Sequence, residues 1–239
     1  MFFATLSKAS LAILVASLIL VLTSQTEAHS YADCIDWKFD PKAKNLSWKK
    51  GHCEGYARRF PATKKIPFAK LDSDDPNRHY QQSHKSTNSN KELACSDGKQ
   101  GEEPGADETM GKPISSAYSG KYGKQTFSYP GGQLCVRWPA KNHAVAGEKS
   151  SGAVKIALSK VNVTKDPTQA EFNNRVIKEL DYKGCTDKGS DEDIWPCGGC
   201  FNLPTNLTAG NYVMQWRWKL NSNEWYTSCA DINVKPKAK

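Results

Sequence analysis

The sequence predicts a mainly β protein: an antiparallel β-sandwich with long loops held by disulfides and little helix. Three observations lead there. Apolar and polar residues alternate along several short runs in the second half of the chain, at the two-residue period of a half-buried strand. Gly, Pro and Asn clusters punctuate those runs. The eight cysteines are all placed after a segment that reads as an export signal.

Gln133–Trp138 and Ala153–Leu158 are the clearest alternating runs. Tyr212–Leu220 is a longer strand with Tyr212, Met214, Trp216 and Trp218 on one face, and Asp231–Val234 reads as a short final strand. Turns at Pro130–Gly132 and Thr208–Asn211 separate them. Only Asp166–Ile177 is expected to be helical. Residues 40–125 are rich in Lys, Asp, Asn, Ser, Gly and Pro, and read as a long irregular insertion stapled through Cys53 and Cys95. Short strands with turn punctuation are the pattern of an immunoglobulin/fibronectin-III-like sandwich, whose loops carry function.

The amino terminus is unlike the rest. Lys8 precedes the apolar run Leu11–Leu22, a polar stretch follows, and Ala28 is the small residue at a cut site. This describes a secretory signal peptide over 1–28, too short in its apolar core to span a membrane comfortably. A single catalytic domain is expected over 29–234, with a short basic tail at 235–239, secreted to the extracellular space. The oxidising route makes Cys34, Cys53, Cys95, Cys135, Cys185, Cys197, Cys200 and Cys229 four disulfides, with pairing left open by the sequence. Cys197-Gly-Gly-Cys200 has redox and zinc spacing, but no second such pair or nearby His completes a zinc set. Asn45, Asn162 and Asn206 head N-glycosylation sequons. The formal charge is +8, which favours polyanionic partners. Outside a cell that means an acidic polysaccharide rather than nucleic acid, with no membrane bound by the mature form.

Processing gives His29 a special chemistry. As an N-terminal residue it offers two nitrogen donors, the α-amine and the imidazole. With a second imidazole these make three nitrogens in a plane, the arrangement Cu(II) prefers. His143, in Trp138-Pro-Ala-Lys-Asn-His143 just past a strand, is the second candidate. His52, His79 and His84 lie in the polar insertion and read as solvated loop histidines. Tyr226, near the start of the last strand, is a candidate axial group for the metal. Glu224, two residues before it, is a candidate hydrogen-bonding partner, and Gln215 a weaker one.

Taken together, His29 directly after a signal peptide, an Asn-His following a Val-Arg-Trp strand, and the terminal Tyr226-Thr-Ser-Cys-Ala-Asp-Ile232 resemble the lytic polysaccharide monooxygenases. The opening His29-Ser-Tyr-Ala-Asp-Cys-Ile-Asp-Trp37 looks like the pectin-active branch described from oomycetes. The resemblance implies one copper per chain held by His29 and His143, with Tyr226 axial. It also implies an external electron donor, hydrogen peroxide or dioxygen as co-substrate, and oxidative cleavage of homogalacturonan by a monomer. Lys141 stands where many relatives have a small Ala, placing a positive charge near the copper face. Two other readings follow from the same residues: action on cellulose or chitin, and a non-catalytic secreted copper-binding protein on the same scaffold.

Overall fold

A computed structural model describes residues 30–60, 81–83, 94–95, 114–120, 122–141, 143–145, 152–221 and 224–237. The signal segment, His29, His79 and His84 lie outside the described residues. Among those described, no helix is long and apolar enough to cross a membrane.

Ten strands dominate the described residues: β1 (Asp36–Phe39), β2 (Gly51–Gly55), β3 (Gln81–Ser83), β4 (Thr126–Ser128), β5 (Gln133–Pro139), β6 (Val154–Leu158), β7 (Val176–Leu180), β8 (Pro196–Asn202), β9 (Gly210–Asn221) and β10 (Glu224–Val234). Among the described residues the helices are two short pieces, α1 (Ile114–Ala117) and α2 (Gln169–Asn173), with a 3-10 turn at Glu192–Ile194. The chain is therefore mainly β with little helix. The large sheet runs β3-β10-β9-β6-β7, with β4 added beside β10. Two antiparallel pairs, β1-β2 and β5-β8, form smaller sheets. Pairing is antiparallel except that β4 runs parallel to β10, a departure from the fully antiparallel expectation. Leu134, Val136 and Trp138 of β5 share one core with Val154, Ile156, Met214, Trp216 and Trp218 of the large sheet.

Several sequence expectations change in detail. The final strand is not Asp231–Val234 alone but the whole of Glu224–Val234, because it pairs along the full length of β9. β9 was expected to bury one face, yet Val213, Gln215 and Arg217 are as buried as Met214, Trp216 and Trp218. The second face is covered by Phe172 of α2 and by the Ala94–Cys95 segment, whose Cys95 is bridged to Cys229. The helix expected over 166–177 shrinks to five residues. Thr168 and Glu171 form a reciprocal capping box at its start. The chain then enters β7 at β-branched Val176 and Ile177, where Val176 pairs with Ala157 of β6 and Ile177 falls at a register shift, instead of extending the helix. The insertion of 40–125 contains β2, β3 and α1, so it is less irregular than its composition suggested.

Four disulfides form: Cys34–Cys53, Cys95–Cys229, Cys135–Cys200 and Cys185–Cys197. Cys197 and Cys200 thus bind different partners, and the Cys-Gly-Gly-Cys run is structural. Its glycines have a packing cause. A Cβ on Gly198 would meet the Trp48 ring at 2.6 Å, and one on Gly199 would meet Leu180 at 3.0 Å.

Candidate metal centre

The site is built on Trp218, which is 0% exposed in the middle of β9. Tyr182 stacks on its indole with centroids 3.8 Å apart and planes within 8°. Tyr226 of β10 is its cross-strand partner, with ring centroids 5.6 Å apart. His143 lies 5.5 Å from the same indole, centroid to centroid. Two of the residues singled out from sequence, His143 and Tyr226, therefore pack against one platform despite their distance in the chain. Tyr226 is buried at 1% exposure, while His143 is half-buried.

His143 sits on a tight turn after β5. Its amide donates to the Ala140 carbonyl at 3.1 Å. Lys141 takes a left-handed φ of 48°, a conformation uncommon for a residue with a side chain, and is buried at 7%. The segment 182–195 grips this turn from outside. The Tyr182 hydroxyl donates to the Ala140 carbonyl at 2.8 Å, and Glu192 Oε1 accepts from the Ala144 amide at 2.8 Å. Lys183 Nζ donates to the Val145 carbonyl at 3.0 Å, and the Trp195 carbonyl accepts from the Ala140 amide at 3.0 Å. The Cys185–Cys197 bridge ties that segment to the start of β8. Sequence reasoning missed Tyr182, Lys183 and Glu192, since no motif marks side chains that act by holding a distant turn.

The N-terminal stretch reaches the same corner. Ser30 is fully buried and its Oγ donates to the Pro139 carbonyl at 3.2 Å, four residues before His143. The Ala32 amide donates to Ser228 Oγ at 3.1 Å, two residues after Tyr226. Behind it, Cys34 bridges antiparallel to Arg137. The Arg137 guanidinium grips Asp33 at 2.5 Å, donates to the Trp48 carbonyl at 2.9 Å and lies 3.8 Å above the Trp37 ring. Burial pushes the Asp33 carboxyl above its ordinary range, opposed by the charge and hydrogen bonds of Arg137.

The remaining candidates separate. Gln215 is buried elsewhere: its Nε2 donates to the Ala94 carbonyl and to Gln169 Oε1, at 3.2 and 2.9 Å. It lies three residues along β9 from Trp218, hence on the opposite face, which removes it from the site. Glu224 is the first residue of β10, where the pairing register shifts. His52 is exposed, on β2 rather than in a loop, with its Nε2 2.8 Å from Glu54. Among the described residues no group of three or more His, Cys, Asp or Glu converges to hold a metal. A brace of two imidazoles and an amine would not form such a group.

No family model and no curated protein matches the chain. Solved structures do. A lytic polysaccharide monooxygenase from Streptomyces lividans is 17% identical, over 63% of this chain and 76% of that one, at a TM-score of 0.41. A chitin-binding domain from Burkholderia pseudomallei is 15% identical over 87% and 81%, at 0.40. A lytic polysaccharide monooxygenase from Thermobia domestica in its Cu(I) state is 21% identical over 48% and 67%, at 0.33. Similarities this distant do not enter the functional argument.

Proposed function

We propose that the mature chain is a secreted, copper-dependent lytic polysaccharide monooxygenase. The α-amine and imidazole of His29 and the imidazole of His143 would hold one copper ion, with the Tyr226 phenol beside it. The observation that carries this reading is the convergence of three distant segments on one corner. His143 and Tyr226 pack on Trp218. Ser30, whose Cα is one peptide unit of about 3.8 Å from that of His29, is buried with its hydroxyl on the strand leading to His143. Three nitrogen donors suit Cu(II) and its tetragonal preference. On this reading the scaffold is an immunoglobulin/fibronectin-III-like sandwich acting as a monomeric domain over 29–234.

Bound copper supplies the redox chemistry, with an external electron donor and hydrogen peroxide or dioxygen, and the outcome is oxidative scission of a glycosidic bond. The protein supplies position. Tyr182, Lys183 and Glu192 fix the turn that carries His143 through bonds to its backbone. Tyr226 closes the buried side of the site against the sheet. Glu224 is assigned a hydrogen-bonding role beside it.

The proposed substrate is homogalacturonan. The charge of +8 supports a polyanionic chain over neutral cellulose or chitin. The test is mass spectrometry of products released from homogalacturonan, cellulose and chitin by copper-loaded protein with ascorbate. Oxidised galacturonides that appear only with reductant are expected. Oxidised products from cellulose or chitin alone would reassign the substrate, and none from any polymer would leave a copper-binding protein without this activity.

A further inference from the structure

The end of the large sheet away from His143 carries a surface that the proposed function leaves unused. Two adjoining clefts of about 550 Å³ each open there and share Lys160, Val161, Asn174 and Arg175. Lys165 lines the first, and Pro204–Thr208 borders the second. The place follows from register. The Asn162 amide donates to the Asn211 carbonyl at 2.7 Å, and Asn162 Oδ1 accepts from the Asn211 amide at 2.9 Å. Asn211 follows the first residue of β9, and Gly210 to Trp218 is eight residues of strand. At ~3.3 Å per residue the clefts lie about 25 Å from the Trp218 platform.

The charge of these clefts is uneven. Lys160, Lys165 and Arg175 are all exposed. Arg175 is held in place, Nε donating to the Leu158 carbonyl at 2.9 Å and a terminal nitrogen to the Ser159 carbonyl at 3.2 Å. Those bonds use two of its five donors, so a pre-oriented fork remains for a carboxylate. The acidic residues that line the first cleft have other work. Asp166 accepts two bonds from Arg58, and Glu171 closes the capping box on Thr168. Amides and hydroxyls of Asn162, Thr164, Asn174 and Thr208 complete the lining.

Exposed aromatic rings border the same end. The Leu203 amide donates to the Gly132 carbonyl at 2.9 Å, which sets the Tyr129–Gly132 turn beside Pro204–Thr208. Gly131 is in a left-handed φ there, and a Cβ on it would sit 3.2 Å from Thr205. Phe127 and Tyr129 are 55% and 50% exposed, and Lys235 Nζ lies 4.8 Å from the Phe127 ring centre. Exposed rings offer flat faces to the C–H surface of a sugar, beside cations for its carboxylates.

We infer that this end of the molecule is a second binding surface for an acidic polysaccharide, separate from the copper corner and independent of metal. Phe127 and Tyr129 carry sugar rings, while Lys160, Lys165 and Arg175 take the uronate groups. The device would hold the protein on a polyanionic polymer.

The test uses the mature secreted protein with any glycan at Asn162 or Asn206 retained, beside a glycan-free form made in a bacterial periplasm, and binding by the glycan-free form alone would overturn the inference. Calorimetry measures binding of an oligogalacturonate to the parent, to Lys160→Glu/Lys165→Glu, to Phe127→Ala/Tyr129→Ala and to His143→Ala. Each double variant is expected to weaken binding by about tenfold or more, with thermal midpoints like the parent's and with the affinity for Cu(II) unchanged. Unchanged affinity in the lysine variant would overturn the inference. So would equal affinity for a neutral cello-oligosaccharide or for a DNA duplex. Binding lost only in His143→Ala would place the sugar at the copper corner, overturning this surface while leaving the proposed function intact.

Discussion

Arg137→Met is the most informative single perturbation of the scaffold beneath the candidate site. It removes a cation from a place where the partner cannot rehydrate: the Asp33 side chain is 0% exposed and that of Arg137 is 5% exposed. Breaking a buried pair by deleting one partner costs about 3–5 kcal/mol, because the other charge stays behind unpaired. At about 2–4 °C per kcal/mol for a domain of this size, the thermal midpoint at pH 7 should fall by roughly 6–20 °C. The pH dependence identifies the cause. Asp33 already holds its proton more tightly folded than unfolded, because burial outweighs Arg137. Removing Arg137 deletes the opposing influence and widens that gap. A native state that binds the extra proton gains stability as pH falls through the raised value, so the deficit against wild type should shrink from pH 7 towards pH 4. Asp33→Asn/Arg137→Met, which removes both charges, should recover most of the loss at neutral pH. Scanning calorimetry across this range is the assay. A loss below about 1 kcal/mol at pH 7 would refute the reasoning, and so would a deficit that does not change with pH.

Other expectations follow from the same structure. Trp218→Ala should destabilise by about 3–5 kcal/mol, read by denaturant unfolding, because it empties a fully buried site shared by three rings. Glu192→Ala removes the acceptor of the Ala144 amide, and should weaken copper binding several-fold in calorimetry with little change in thermal midpoint, since it loosens only the His143 turn. Non-reducing peptide mapping should return the four bridges described. Cys95→Ser/Cys229→Ser, which opens the bridge of widest sequence separation, 134 residues, should cost about 4–5 kcal/mol on the loop-entropy estimate.

The legible part of the fold was the part with two-residue alternation. β5, β6 and β9 announced themselves because each places large apolar residues at every second position facing one core. β1, β2 and β8 did not. Pro196–Asn202 is nearly featureless in apolar pattern, since its glycines leave room for Trp48 and Leu180 rather than packing side chains of their own. Asp166–Ile177 misled because its helical start is real, with a capping box at Thr168, but the chain turns into β7 at its β-branched residues. Cysteine pairing was unreadable because it depends on which strands become neighbours. At the site, the sequence marked the residues with chemistry of their own, His143 and Tyr226. It was silent on Trp218 as their common platform, and on Tyr182, Lys183 and Glu192, whose roles exist only through tertiary contact.

The central claim is that one copper binds through the amine and imidazole of His29 together with His143. Titration of Cu(II) into the mature, signal-free protein, read by calorimetry and by electron paramagnetic resonance, tests it most directly. The account predicts one tight site per chain with a nitrogen-rich tetragonal spectrum. It also predicts that affinity falls by about a hundredfold or more in His143→Ala, and equally when a single residue is added ahead of His29 to turn its amine into an amide. Unchanged affinity and spectrum in either protein would contradict it.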